Sequence, residues 1–158
     1  MGLEAAVYCD CFERGDLEVQ PRPEWEVYVA ENGSRETTAT DLDLQTAFDS
    51  WDCQACCHDG GVLLDHYIGN IGLVGRFREL IGEHPNDFPL ILEKVIYSGS
   101  HCGDYLVVGE VEALQAEVER IAHVHSQDAE AEQWLRGFEA QMLELVGCAL
   151  RVKRPIAF

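Results

Sequence analysis

Apolar positions along this chain fall into two periods, and breaker residues mark where one gives way to the other. Residues 3–9 (LEAAVYC) form a short apolar run that predicts a first strand. Residues 12–24 (FERGDLEVQPRPE) carry two prolines, a glycine and many charges, and predict a loop. WEVYVA over 25–30 predicts a strand, and Asn32-Gly33 is a hairpin turn signal, so RETTA should return as a polar edge strand.

Over residues 40–57, Leu44, Ala47, Phe48 and Trp51 recur at three and four residues, which predicts a helix capped by Thr40 or Asp41 and closed by Gly60-Gly61. VLLDHYIGN (62–70) is strand-like. Asn70 can cap a following helix, IGLVGRFRELIG, with Leu73, Val74, Phe77, Leu80 and Ile81 inward. After the proline-rich break at 84–89, a turn of helix to Glu93 and a strand over Val95 to Ser98 are expected. From Gly109, Val111, Leu114, Val118 and Ile121 mark a helix. A longer one follows from about Asp128 to Ala149, with Trp134, Phe138, Met142, Leu145 and Ala149 as its stripe. RPIAF can close the chain as a strand.

Strands and helices mix throughout, with no repeat and no visible linker. The expected class is therefore α/β or α+β, in one domain over 1–158. It would be a mixed sheet packed against about four helices, the last two long and paired.

Charge changes the functional picture. Twenty-nine acids face eleven bases, a formal net charge of −18. Such a field repels nucleic-acid phosphates and anionic lipid and attracts basic proteins. It also keeps a protein soluble whatever its partners. No segment approaches the apolar length of a membrane span. The opening MGLEAAVYCDC lacks the basic and apolar regions of a secretory signal, so a cytoplasmic setting is expected. There, seven cysteines read as reduced thiols or ligands rather than as a disulfide framework.

The candidate chemistry is concentrated in SWDCQACCHDGG (50–61) and YCDCF (8–12). On a strand, Cys9 and Cys11 would face the same way; on a helix, Cys53 and Cys56 would share a face. Two thiols from each, or three with His58, could cage zinc. Cysteine is equally a small, readily buried hydrophobe. The plainer expectation is a helix end with Cys53 or Cys56 packed against the strand of Cys9 and Cys11.

SGSHCGDY (98–105) offers His101, Cys102 and Asp104 as base, nucleophile and orienting acid, with His66 a better-placed base than His101. Adjacent residues seldom converge on one substrate atom, and a turn served by Gly99 and Gly103 accounts for the stretch. GNIGLVGR (69–76) lacks the G-x-G-x-x-G spacing of a phosphate loop. RVKRP (151–155) is explained by cations favoured at a helix C-terminus.

The stretches MGL…VYCDCFE, HYIGNIGLVG, VIYSGSHCGDYL and PIAF together resemble those of a group of small soluble bacterial proteins, a likeness covering most of the chain. No activity comes with that group, so no functional residue is carried over. By size and charge alone, such a protein is similar to immunity proteins for bacterial toxins.

No catalytic signature surrounds any of these residues. The reading that follows is a non-enzymatic, acidic, cytoplasmic protein-binding module without a cofactor, and in its concrete form an immunity-type inhibitor of a basic toxin. Its contact acids would be Glu110, Glu112, Glu117 and Glu119, with Asp128, Glu130 and Glu132 nearby. The alternative is a zinc-binding or thiol-dependent protein built on Cys9, Cys11, Cys53, Cys56 and His58.

Overall fold

The computed structural model describes residues 2–99 and 103–158. The first apolar run is strand β1 (Gly2–Tyr8), which continues into a single helical turn, α1 (Cys11–Arg14). That turn is stopped by Gly15 at φ 74°, a left-handed conformation that suits glycine. The hairpin forms as expected, from β2 (Val27–Val29) and β3 (Arg35–Thr37). Helix α2 (Leu42–Asp52) starts at Asp41, whose side chain accepts from the N–H groups of Asp43 and Leu44. Strand β4 (Val62–Asn70) runs straight into α3 (Ile71–Gly82), where the Asn70 side chain accepts from Leu73 N.

The expected strand over 95–98 is absent. Ile91–Val95 form a π-helical turn instead. Its first N–H groups are taken by a carboxylate: Glu117 accepts from Leu90 N at 3.0 Å and Ile91 N at 2.9 Å. With those donors satisfied from outside, the segment stays wound, and Ile91, Val95 and Ile96 are fully buried. Strand β5 (Tyr105–Leu106), helix α4 (Val108–Arg120), helix α5 (Ala129–Val152) and strand β6 (Ile156–Ala157) complete the chain.

The class is α+β. The main sheet has the order β4-β1-β6-β5. Every pairing in it is antiparallel, so it is not the mixed sheet the sequence suggested. The reason is local: β1 and β4 pair side by side without a parallel crossover between them. Along β1, Leu3, Ala5 and Val7 are buried beneath α3 and α5, while Gly2, Glu4, Ala6 and Tyr8 face the other way. Helices α4 and α5 pack as a pair, as expected.

The α5 stripe is Ala131, Leu135, Phe138, Met142, Leu145 and Ala149, with Phe77 of α3 stacked on Phe138 at 4.7 Å between ring centres. Leu135 holds the buried position expected for Trp134, which is half-buried. Beside this core lies a smaller one of Trp25, Phe48, Trp51 and Ala55, which packs the hairpin side of the molecule. Among the described residues, no helix is long and apolar enough to cross a membrane.

Candidate metal centre

Cys9, Cys11 and Cys56 form a third buried cluster between the two cores, touching Leu63 on one side and Leu17 on the other. Two short segments build it. The first leaves β1 at Tyr8 and turns through α1. The second follows α2, which stops at Asp52, so Cys53 only caps the helix and Cys56 lies past its end. Cys53 and Cys56 therefore do not share a helical face as expected, because the helix ends at Asp52, five residues before the expected end at Cys57. Main-chain bonds lock the segments together. Cys9 N donates to Gly61 O at 2.7 Å, and Glu18 N and Val19 N donate to Ala55 O.

The result brings four side chains to one point. The ligand atoms of Cys9, Cys11, Cys56 and His58 all lie within 4.8 Å of one another. Cys9 Sγ is 3.8 Å from Cys56 Sγ. His58 Nδ1 is 3.5 Å from Cys11 Sγ and 3.9 Å from Cys56 Sγ. Zinc bonds of about 2.3 Å to sulfur and 2.0–2.1 Å to nitrogen put tetrahedron corners roughly 3.8 Å apart for two sulfurs and roughly 3.6 Å for sulfur and nitrogen. These three separations are close to those edges. Cys53 does not join the group; it is exposed, because the helix ends before it and the chain turns away. Cys57, also exposed, has its Sγ 3.5 Å from His58 Nδ1.

The electrostatics differ among the thiols. Burial pushes Cys9 up to about 12 and also raises Cys11. Burial raises Cys56 too, but the Arg35 guanidinium and hydrogen bonding with His58 outweigh it and bring this thiol down to about 7. Arg35 NH1 lies 3.4 Å from Cys56 Sγ. The same guanidinium is gripped by Asp52, through Nε to Oδ1 at 2.5 Å and NH2 to the carbonyl at 3.0 Å, and lies over the Trp51 ring. Gly61 leaves it room: a Cβ there would sit 2.9 Å from Arg35 NH2. Arg35 was not singled out in the sequence. Its one signal was a charged residue in a short strand opposite a hairpin turn, which reads as solvent-facing.

The remaining candidates separate. His66 Nε2 pairs with Glu144 of α5 at 2.8 Å, whereas Asp104 accepts from the Tyr97 hydroxyl. His101 and Cys102 lie outside the described residues. Among the seven acids expected to face a partner, Glu117 is corrected: it is 4% exposed and is consumed by the main chain of residues 90–91. Glu110 bonds Lys94 and Val107 N, Asp128 caps α5, and Glu132 bonds Ser126 N and Arg136. Glu112, Glu119 and Glu130 are exposed.

Comparisons of the chain with protein-family models, with curated proteins and with solved structures found no match.

Proposed function

We propose that this is a zinc-binding protein in which Cys9, Cys11, Cys56 and His58 hold one structural ion. The observation that carries the reading is the convergence of those four ligand atoms within 4.8 Å of one another, three of their separations being 3.5–3.9 Å. Four protein ligands, three of them buried, leave no open coordination position for a substrate, which favours a structural over a catalytic role. Arg35 beside Cys56 and Arg14 beside Cys11 would offset the surplus negative charge of three thiolates around a divalent ion.

Metal analysis of protein purified without a histidine tag tests this. About one zinc per chain is expected, lost on changing Cys9 and Cys56 to Ser, with cobalt substitution giving the visible absorption of a tetrahedral thiolate site. Metal-free protein whose melting is indifferent to chelator would overturn it, and would leave the same thiols to a thiol-dependent role or to packing.

A second reading concerns partners: an acidic module that binds a basic protein, in its concrete form a bacterial cytoplasmic inhibitor of immunity type. The −18 charge and the exposed Glu112, Glu119 and Glu130 favour it. Zinc would then fix the scaffold while the acidic surface binds. Association with a basic partner captured from the native host should slow steeply with added salt. A salt-insensitive association rate would reject electrostatic steering.

A further inference from the structure

We infer that the helix-free face of the four-stranded sheet is a trough for arginine side chains of a basic protein segment. This rests on the second reading above, the basic partner, and places its docking site away from helix α4.

The register builds the trough. Asp65, Ala6, Ala157 and Tyr105 pair in one row across all four strands, so the centre of the face is two alanines wide. In the neighbouring row Glu4 pairs with Tyr67. The β2–β3 hairpin stands over one side with Asn32 and Glu36, enclosing a cavity of about 630 Å³. A second cavity of about 500 Å³ shares Asn32 and Glu36 and continues along the hairpin past Tyr28 to Tyr105.

Its chemistry is one-sided. Glu4, Glu31, Glu36 and Asp65 line the two cavities, and among the described lining residues there is no lysine, arginine or histidine. Four of the chain's five tyrosines are there as well. Two of the carboxylates are already oriented: Glu36 accepts from Tyr28 Oη at 2.6 Å, and Glu31 accepts from the Tyr105 hydroxyl. A flat alanine floor, aromatic walls and fixed carboxylates match a planar guanidinium, which stacks on tyrosine and bonds carboxylates in pairs. An ammonium uses the charge but not the shape.

The test is calorimetric titration with hexa-arginine at low salt. Three proteins are compared: the unaltered chain, the Glu4→Gln/Glu36→Gln/Asp65→Asn variant, and the charge-matched Glu112→Gln/Glu119→Gln/Glu130→Gln variant. The trough variant should bind about tenfold more weakly and the helix variant within about twofold of the unaltered chain. Tyr67→Ala, an exposed position whose loss changes no charge, should also weaken binding, which keeps the test valid if the triple variant folds poorly. Hexa-lysine should bind several-fold more weakly than hexa-arginine. Equal losses in both triple variants would overturn the trough while leaving the basic-partner reading in place. Equal affinity for the two peptides would overturn the arginine assignment. No saturable binding to any of the proteins would overturn both.

Discussion

The Glu117 carboxylate accepts two main-chain N–H groups, that of buried Ile91 and that of half-buried Leu90. Changing it to Ala should cost about 3 kcal/mol in urea unfolding, because both donors are left dry and unpaired. Glu112→Ala and Glu119→Ala should stay within about 0.5 kcal/mol, as exposed changes do. Equal effects would mean that Glu117 is not acting as this cap. Glu132 acts through its ionised form. The bond from Ser126 N, with help from His125 and Arg136, holds it below the ordinary 4.5. Depression in the folded state means its contribution is complete above the unfolded value and disappears as pH falls through the folded one. The gap in Tm between the protein and Glu132→Gln should therefore be constant near neutral pH and close as pH falls below the ordinary carboxylate value of 4.5. The thiols give a third expectation. In zinc-loaded protein, mass-spectrometric mapping should find iodoacetamide on the exposed Cys53 and Cys57 but not on Cys9, Cys11 or Cys56. Chelation should open those three, since thiolate ligation protects them.

Among the elements, α5 binds the largest share of the core, and its Phe138 stacks on Phe77 of α3. Phe138→Ala should cost about 3–5 kcal/mol, read as a lower urea midpoint with unchanged slope. A loss below about one kcal/mol would contradict the stripe. Helices were the legible part of this chain: Val111, Leu114, Val118 and Ile121 repeat at helical spacing, and all four are fully buried. Capping chemistry pointed to two helix starts, at Thr40 or Asp41 and at Asn70, and Asp41 and Asn70 are the caps; Asp128, expected only as the start of the last stripe, caps α5 as well. What local pattern could not supply were contacts made at long range. The helical turn expected up to Glu93 forms, but the strand expected from Val95 does not: Glu117, 26 residues on from Ile91, binds the start of the segment and keeps it wound through Val95. Trp134 and Leu135 compete for one buried position, and periodicity cannot choose between adjacent residues. The cysteine cluster was legible as a set of types but not as a geometry. Cys56 and His58 reach it from a turn, and Arg35 arrives from the hairpin, 21 positions before Cys56.

For the molecule as a whole, self-repulsion is the dominant electrostatic fact: with 29 acids against 11 bases, every compact state concentrates like charge. Raising NaCl from about 0.02 to about 0.5 M, with zinc held constant, should raise Tm, as the screening length shortens from tens of ångströms to a few. A falling Tm would indicate that exposed paired charges such as Arg76–Glu79 outweigh the repulsion. The sheet order adds a constraint in time. Within the four-stranded sheet β4 is the next strand after β1 in chain order, and these two make a ladder of seven paired positions. Strand β6 comes last but lies inside the sheet, between β1 and β5. During synthesis, then, β5 has no strand partner until Ile156 and Ala157 are made, and the row that runs from Asp65 to Tyr105 is broken at Ala157 until that moment. A sheet whose β6 is unpaired would have the row from Asp65 to Tyr105 broken at its centre, so the floor of the trough depends on the last of the sheet's own strands to be made.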